Sequence, residues 1–490
     1  MHAPGGGVGT ELDYDFKKDP GDTAHHTGQL RAYHISDSGT YDSGVEKTPV
    51  PEDSRGRLWL RHRAQWNDDW RTDGEFYWLS DSTFLREYFE REYNNEKAPE
   101  SYIFTRYRKD NLWAGLTFKK QVNSFMNDLD EQPSLELDWL GVPLGRLVYD
   151  AKVILGYYKQ GVSDELPALH DSPNLWRAYT EHMLSLPFEW GLLRITPFVR
   201  ALATYASEGV DGSAKDRIGL GGGIEASTDF SRSYAMESDT FKLNRLRHVV
   251  TPFIRYEELS VNRDAGELIQ LGAMEPWPQP ARWDGIHRNN VDAIDDLSIT
   301  TVGLRQRLQT KRGGPANWHS EDWIELDTSY VRRTDKTLGI LDDDYIDLDF
   351  VWNIFPRVSL FSKDNRFSLN KNGTSVYNAG MGVEFGDANK ATVSYDVVEN
   401  LTKNCKAEMD FKLSDRYFLK VTEQYDFDPG NADHAQSLGS SMVLRRLLHK
   451  WVLDIGMGYS KSRNGSGIVF GFGPAGSDVL PPALGFTGYQ

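Results

Sequence analysis

Apolar side chains recur at every second position in segment after segment of this chain. In the stretch 451–459, Trp451, Leu453, Ile455, Met457 and Tyr459 fall on one face, and Asp454, Gly456 and Gly458 on the other. A period of two is the signature of a strand with two unlike faces. The apolar face carries an aromatic at each end, as expected of a strand whose ends lie at the two interfaces of a bilayer. Ala407, Met409, Phe411 and Leu413 alternate in the same way with Lys406, Glu408, Asp410 and Lys412. So do Ile346, Leu348, Phe350 and Trp352 with Asp347, Asp349 and Asn353, and Leu58, Leu60, Ala64 and Trp66 with Arg57, Arg61, Arg63 and Gln65. Weaker alternations at 112–120, 147–157, 195–205, 249–256, 391–397 and 468–472 spread the pattern over the whole chain.

Turn-forming clusters such as Asp211-Gly212-Ser213, Asn372-Gly373, Asp428-Pro429-Gly430-Asn431 and Asn464-Gly465 separate these segments, as hairpins require. At roughly 19 to 20 residues per strand with its connection, the chain has room for about 24 to 26 strands, within the range of transmembrane barrels. The expected fold is therefore all-β: one large antiparallel transmembrane β-barrel over residues 1–475, with a C-terminal tail at 476–490.

Composition narrows the choice. Hydrophobic residues make up only 39% of the chain, yet 12% is aromatic, and the mean hydropathy is -0.56. No apolar run approaches the ~18 residues of a spanning helix, which excludes a helical membrane bundle. A polar inner face meeting water accounts for the low hydropathy. The net charge of -17 argues against nucleic acid as a partner, because phosphate backbones are bound by clustered Lys and Arg. Cys405 is the only cysteine, so no internal disulfide can form. The first residues, Met1-His2-Ala3-Pro4-Gly5, have neither the basic nor the apolar region of a secretory signal; a chain that begins this way is expected to be a fragment if it belongs in the outer membrane.

A soluble all-β protein also alternates, but a propeller repeats its motif every ~40 to 50 residues, and no such repeat is present. Catalytic motifs are missing: there is no G-x-S-x-G, H-E-x-x-H or G-x-x-x-x-G-K, and His25 and His26 are adjacent rather than at zinc spacing. No enzyme activity, cofactor or metal is expected.

Three segments resemble the LptD family of outer-membrane lipopolysaccharide assembly proteins. Leu246-Arg247-His248-Val249-Val250-Thr251-Pro252-Phe253-Ile254-Arg255-Tyr256 is similar to the family's mid-barrel segment. Residues 295–312, with Thr301-Val302-Gly303-Leu304-Arg305-Gln306-Arg307-Leu308 at their centre, match a second region. Trp78-Leu79-Ser80-Asp81-Ser82-Thr83-Phe84-Leu85 followed by Glu87-Tyr88-Phe89 is similar to the early-barrel pattern. The resemblance implies the cell outer membrane as location, lipopolysaccharide as cargo and outer-membrane lipid as surroundings. It also implies an LptE-like lipoprotein plug and an LptA-like periplasmic bridge as partners. The family's N-terminal periplasmic domain is not seen in the sequence, and Cys405 has no partner for the disulfides that often join that domain to the barrel.

An amphipathic glycolipid cannot leave a closed pore: its sugars can cross a wet lumen, but its acyl chains must exit sideways. In the resembling family the exit seam joins the first and last strands. Here those strands are expected at about 7–16 and 467–473, and the lateral seam at Gly7, Gly9, Leu12 and Tyr14 on one side and Gly467, Ile468, Phe470, Gly471, Phe472 and Gly473 on the other. Glycine weakens a strand through its entropy and missing side chain. The rival functions are a porin or substrate-specific channel, which is expected to show a fully bonded seam and a folded-in loop, and a soluble acidic binding protein.

Overall fold

The computed structural model describes residues 7–17, 23–36, 40–42, 47–49, 54–89, 92–93, 97–164, 173–271, 291–313, 317–335, 343–370, 373–386, 389–399, 401–427, 436–461 and 465–474. The tail expected at 476–490 lies outside them. One antiparallel sheet of 25 strands runs from Gly7–Lys17 to Gly465–Pro474, each strand pairing with its neighbours in chain order, and a small hairpin, Thr40–Asp42 with Lys47–Pro49, stands apart. Two strands are broken in the middle. Asn174–Ser185 continues as Phe188–Trp190 along a shared neighbour, and Lys215–Thr228 continues as Phe230–Ser238, so the 25 strands form 23 spans. The strand Leu243–Val261 runs unbroken through Pro252, with Leu304 opposite.

The alternation read from the sequence sorts the two faces. Leu58, Leu60, Phe76, Trp78, Ile218, Leu220, Ile346 and Met457 are exposed, while Trp59, Tyr77, Arg217, Asp347 and Asp454, from the opposite face of the same strands, are buried. An apolar exposed face beside a polar protected one is the inverse of a soluble sandwich and the expected state of a barrel in lipid. Among the described residues no helix is long and apolar enough to cross a membrane; the strands do the crossing. Exposed aromatics ring both ends, with Trp66, Trp70, Tyr417 and Trp451 at one and Trp78, Trp176, Tyr205, Tyr256 and Tyr330 at the other.

The two mouths differ in their connections. At one end the strands are joined by brief turns, such as 66–69, 110–111, 145–146 and 356–357; at the other the links are long, as at 80–101 and 262–296. Short turns face the periplasm and long loops the exterior in barrels of this type.

Candidate functional site

Two long loops fold back onto the inner wall. The first carries a short helix, Phe84–Tyr88, whose Phe84 and Leu85 are buried against Ile35, Trp59, Tyr77 and Leu79, all inward positions of their strands. Arg55 holds the loop from below. Its Nε and Nη2 donate to the two oxygens of Asp81 at 2.9 Å each, Nη1 donates to Glu87 at 2.6 Å and Nη2 also to Thr83 at 2.9 Å. The same guanidinium lies 5.2 Å from the Tyr88 ring centre. Arg57 sits 3.5 Å from the centre of the Phe89 ring and donates to Glu92. Burial raises the Asp81 carboxyl, but the hydrogen bonds from Arg55, Thr83 and Ser80 outweigh it and hold the group below the usual aspartate range.

The second loop, described at 262–271 and 291–296, presents Val291 and Ile294 to Tyr179, Leu202, Leu259 and Leu297, and Leu268 and Leu271 to Tyr158, Leu175 and Ala206. Its backbone is captured by Arg217, which is fully buried and donates to the carbonyls of Ile294 at 2.6 Å and Val291 at 3.0 Å. Asp292 pairs with Arg177; burial pushes its carboxyl above the usual range despite that partner. Asp295 caps the loop by accepting from the Ala265 N–H at 2.8 Å.

Glycine makes a further connection beneath this loop. Gly219, Gly221 and Gly223 occupy successive inward positions of Lys215–Thr228. A Cβ at Gly221 would come within 2.3 Å of the Glu258 carbonyl. The bare row lets Arg200, one strand to the side, reach across to Glu257 on the next strand at 2.9 Å while it also donates to Glu181 behind it at 3.0 Å. One guanidinium thus joins the wall across second neighbours.

The residues expected at the seam lie on the two outermost strands. Gly7 and Gly9 pair with Ile35 and Tyr33, and Leu12 and Tyr14 with Leu30 and Gly28. Gly467, Ile468, Phe470, Gly471, Phe472 and Gly473 pair with Gly458, Met457, Ile455, Asp454, Leu453 and Val452. Among the described residues no ladder joins the first strand to the last. Because 23 spans alternate in direction, the two strands point the same way, and direct pairing between them would be parallel. Leu12, Ile468, Phe470 and Phe472 are exposed on the lipid side. The glycines have a second role: the Tyr33 side chain lies over them, its hydroxyl 2.5 Å from where a Gly7 Cβ would stand and its ring 2.8 Å from that of Gly9. Tyr33 also touches Phe89 edge-on at 5.3 Å, so the first strand is linked to the first loop.

Sequence reasoning missed Arg55, Arg217, Asp292 and the Arg200 bridge. Asp81, Phe84 and Leu85 were in view as the early-barrel resemblance, and that segment is the one that docks.

Residues 53–256 match the family model described as LptD, LPS transport system D. No curated protein matches the chain. Among solved structures it is similar to the copper transporter OprC, at 9% identity and TM-score 0.37 over 93% of this chain and 74% of that one. It is also similar to the P pilus usher (PapC) translocation pore, at 10% identity and TM-score 0.28 over 95% and 96%. A third is the siderophore receptor PirA from Acinetobacter baumannii, at 8% identity and TM-score 0.33 over 95% and 79%. The match to the LptD model covers less than half of the chain, and with the large antiparallel sheet and its apolar outer face it makes this chain an outer-membrane β-barrel that is similar to the LptD family over residues 53–256.

Proposed function

We propose that this barrel moves lipopolysaccharide into the outer leaflet, passing the sugars along its polar inner wall and releasing the acyl chains sideways between the strands Gly7–Lys17 and Gly465–Pro474. The observation that carries this reading is the family match over residues 53–256. The unladdered pair of glycine-bearing edges, each with an apolar outer row, supports the position of the exit. In this reading residues 1–475 act as one barrel domain, a lipoprotein plug of the LptE kind occupies the lumen, and an LptA-like bridge delivers the cargo. The chain transports and has no catalytic role.

Photo-crosslinking in cells tests it. A benzophenone residue at Leu12 or Phe470 is expected to capture lipopolysaccharide, whereas one at Ile218, equally exposed but far along the sheet from both edges, is not. Equal capture at all three sites would defeat the seam. A second reading, a diffusion channel, draws on the two folded-in loops, since narrowing its own lumen is what a channel does. Planar-bilayer recording separates the two: a steady, solute-selective conductance without any added plug would favour the channel.

A further inference from the structure

Charges on the inner wall are generally matched across strands. Arg31 meets Glu11 at 2.7 Å, Lys420 meets Glu408 at 2.8 Å, and Arg445 grips both oxygens of Asp454 at 2.9 and 2.7 Å. Even where Asp327 stands opposite Asp349, Arg307 answers with bonds of 2.6 and 2.9 Å to Asp327. Among the described residues, the pairing of two neighbouring strands near residues 71 and 106 departs from this pattern. Near the short-turn end, Arg71 stands directly opposite Arg106 on the neighbouring strand, and Arg108 is two positions along. Like charges directly opposite destabilise a sheet.

The anion supply there is already used. Asp73 gives one oxygen to Arg63 at 2.6 Å and the other to Arg71 at 2.7 Å. Glu75 is engaged by Trp59 at 2.9 Å and Lys97 at 2.8 Å. On its other side Arg106 faces Gly115, over which the rings of Phe104 and Trp113 close, so no carboxylate approaches from that strand. The charges that act most strongly on Arg106 are those of Arg71, Arg108, Asp73 and Arg63, three of the four cationic. Neither the Arg106 nor the Arg108 side chain has a hydrogen bond or ion pair among the described residues. Arg63 and Arg71 share the Asp73 carboxylate, which leaves Arg106 and Arg108 without one.

We propose that Arg71, Arg106 and Arg108, flanked by Arg63, form a binding site for a phosphate monoester on the inner wall near the periplasmic mouth. A phosphate dianion offers several oxygens to planar guanidinium forks and replaces the missing countercharge. The site stands on this local charge count; the identity of its natural ligand, a phosphorylated glycolipid, rests on the function proposed above.

Binding to the purified barrel in nanodiscs tests it, with three probes: inorganic phosphate, a bisphosphorylated glycolipid and the same glycolipid after dephosphorylation. The phosphorylated lipid should bind about tenfold more tightly than the dephosphorylated one, and Arg106→Gln should remove that difference. The same substitution should raise the thermal midpoint, because it relieves the repulsion from Arg71; a merely structural arginine would lower it. Arg106→Lys, which keeps the charge but loses the fork, should recover part of the affinity. Lys390→Gln, in the matched pair with Asp410, should change neither quantity. Binding of inorganic phosphate that Arg106→Gln abolishes, without discrimination between the two lipids, would keep the site but assign it to free anions and count against the glycolipid reading. Unchanged binding in Arg106→Gln with a lowered midpoint would overturn the site.

Discussion

Residues 80–89, and residues 262–271 with 291–296, fold onto the inner wall at the outer mouth, and both bury apolar side chains there, but the arginines that anchor them bind different acceptors. Beside the burial of Phe84 and Leu85, the first is fastened by charge: Arg55 and Arg57 reach up from the wall to Asp81, Glu87 and Glu92 and lie against aromatic rings. The second is fastened by apolar burial at Leu268, Leu271, Val291 and Ile294, and by an arginine that binds backbone carbonyls rather than carboxylates. A charge-fastened loop depends on particular partners and on protonation. A loop fastened by burial depends on volume.

Substitutions can break that contrast, beginning with the largest effect. Arg55→Ala leaves Asp81 buried without its counterion and should release the first loop by about 4 kcal/mol. Hydrogen exchange in 80–89 should rise while 262–271 stays protected. Leu268→Ala should do the reverse, opening the second loop by about 3 kcal/mol through the cavity it leaves. If either substitution loosened both loops together, they would form one unit and the contrast would fail. Tyr33→Ala removes the ring contacts with Phe84 and Phe89 and should cost the first loop about 2 kcal/mol, with faster exchange in Gly7–Lys17 as well.

Acid should produce the smallest and most selective effect. The Asp81 carboxyl is held below its ordinary value, so its contribution is complete above about pH 4, where a free aspartate titrates, and is lost as pH falls through its lowered folded value. Asp292 is shifted the other way: its charged form is disfavoured by burial, so protonation as pH falls through the raised value relieves the second loop rather than weakening it. On stepwise acidification, pepsin should therefore cut within 80–89 before 262–271. The opposite order would show that burial, not the Arg55 bonds, dominates at Asp81.

The strands were legible because each carries its own pattern: the face of 451–459 can be read from nine consecutive residues without reference to any other part of the chain. The loops were not, because their partners are remote in sequence. Arg217 binds carbonyls 74 and 77 positions away, and Asp292 pairs with an arginine 115 positions back. A backbone carbonyl acceptor also leaves no mark on residue type. The glycine run at 219–223 was silent for another reason: glycine suggests a turn or a weak strand, whereas here it marks the space that another side chain crosses. At the expected seam, nothing in the residue pattern signals that Gly7 and Gly9 lie beneath Tyr33.

The Arg200 bridge has a mechanical consequence. A hydrogen-bonded ladder ties each strand only to its immediate neighbours, so a large cylinder of this kind can ovalise by small rotations at every joint. A brace that spans a strand, from Glu181 through Arg200 to Glu257, stiffens three consecutive joints at once, directly under the anchored second loop. Deformation of the cylinder is then displaced from this braced arc toward the joints that only a ladder holds.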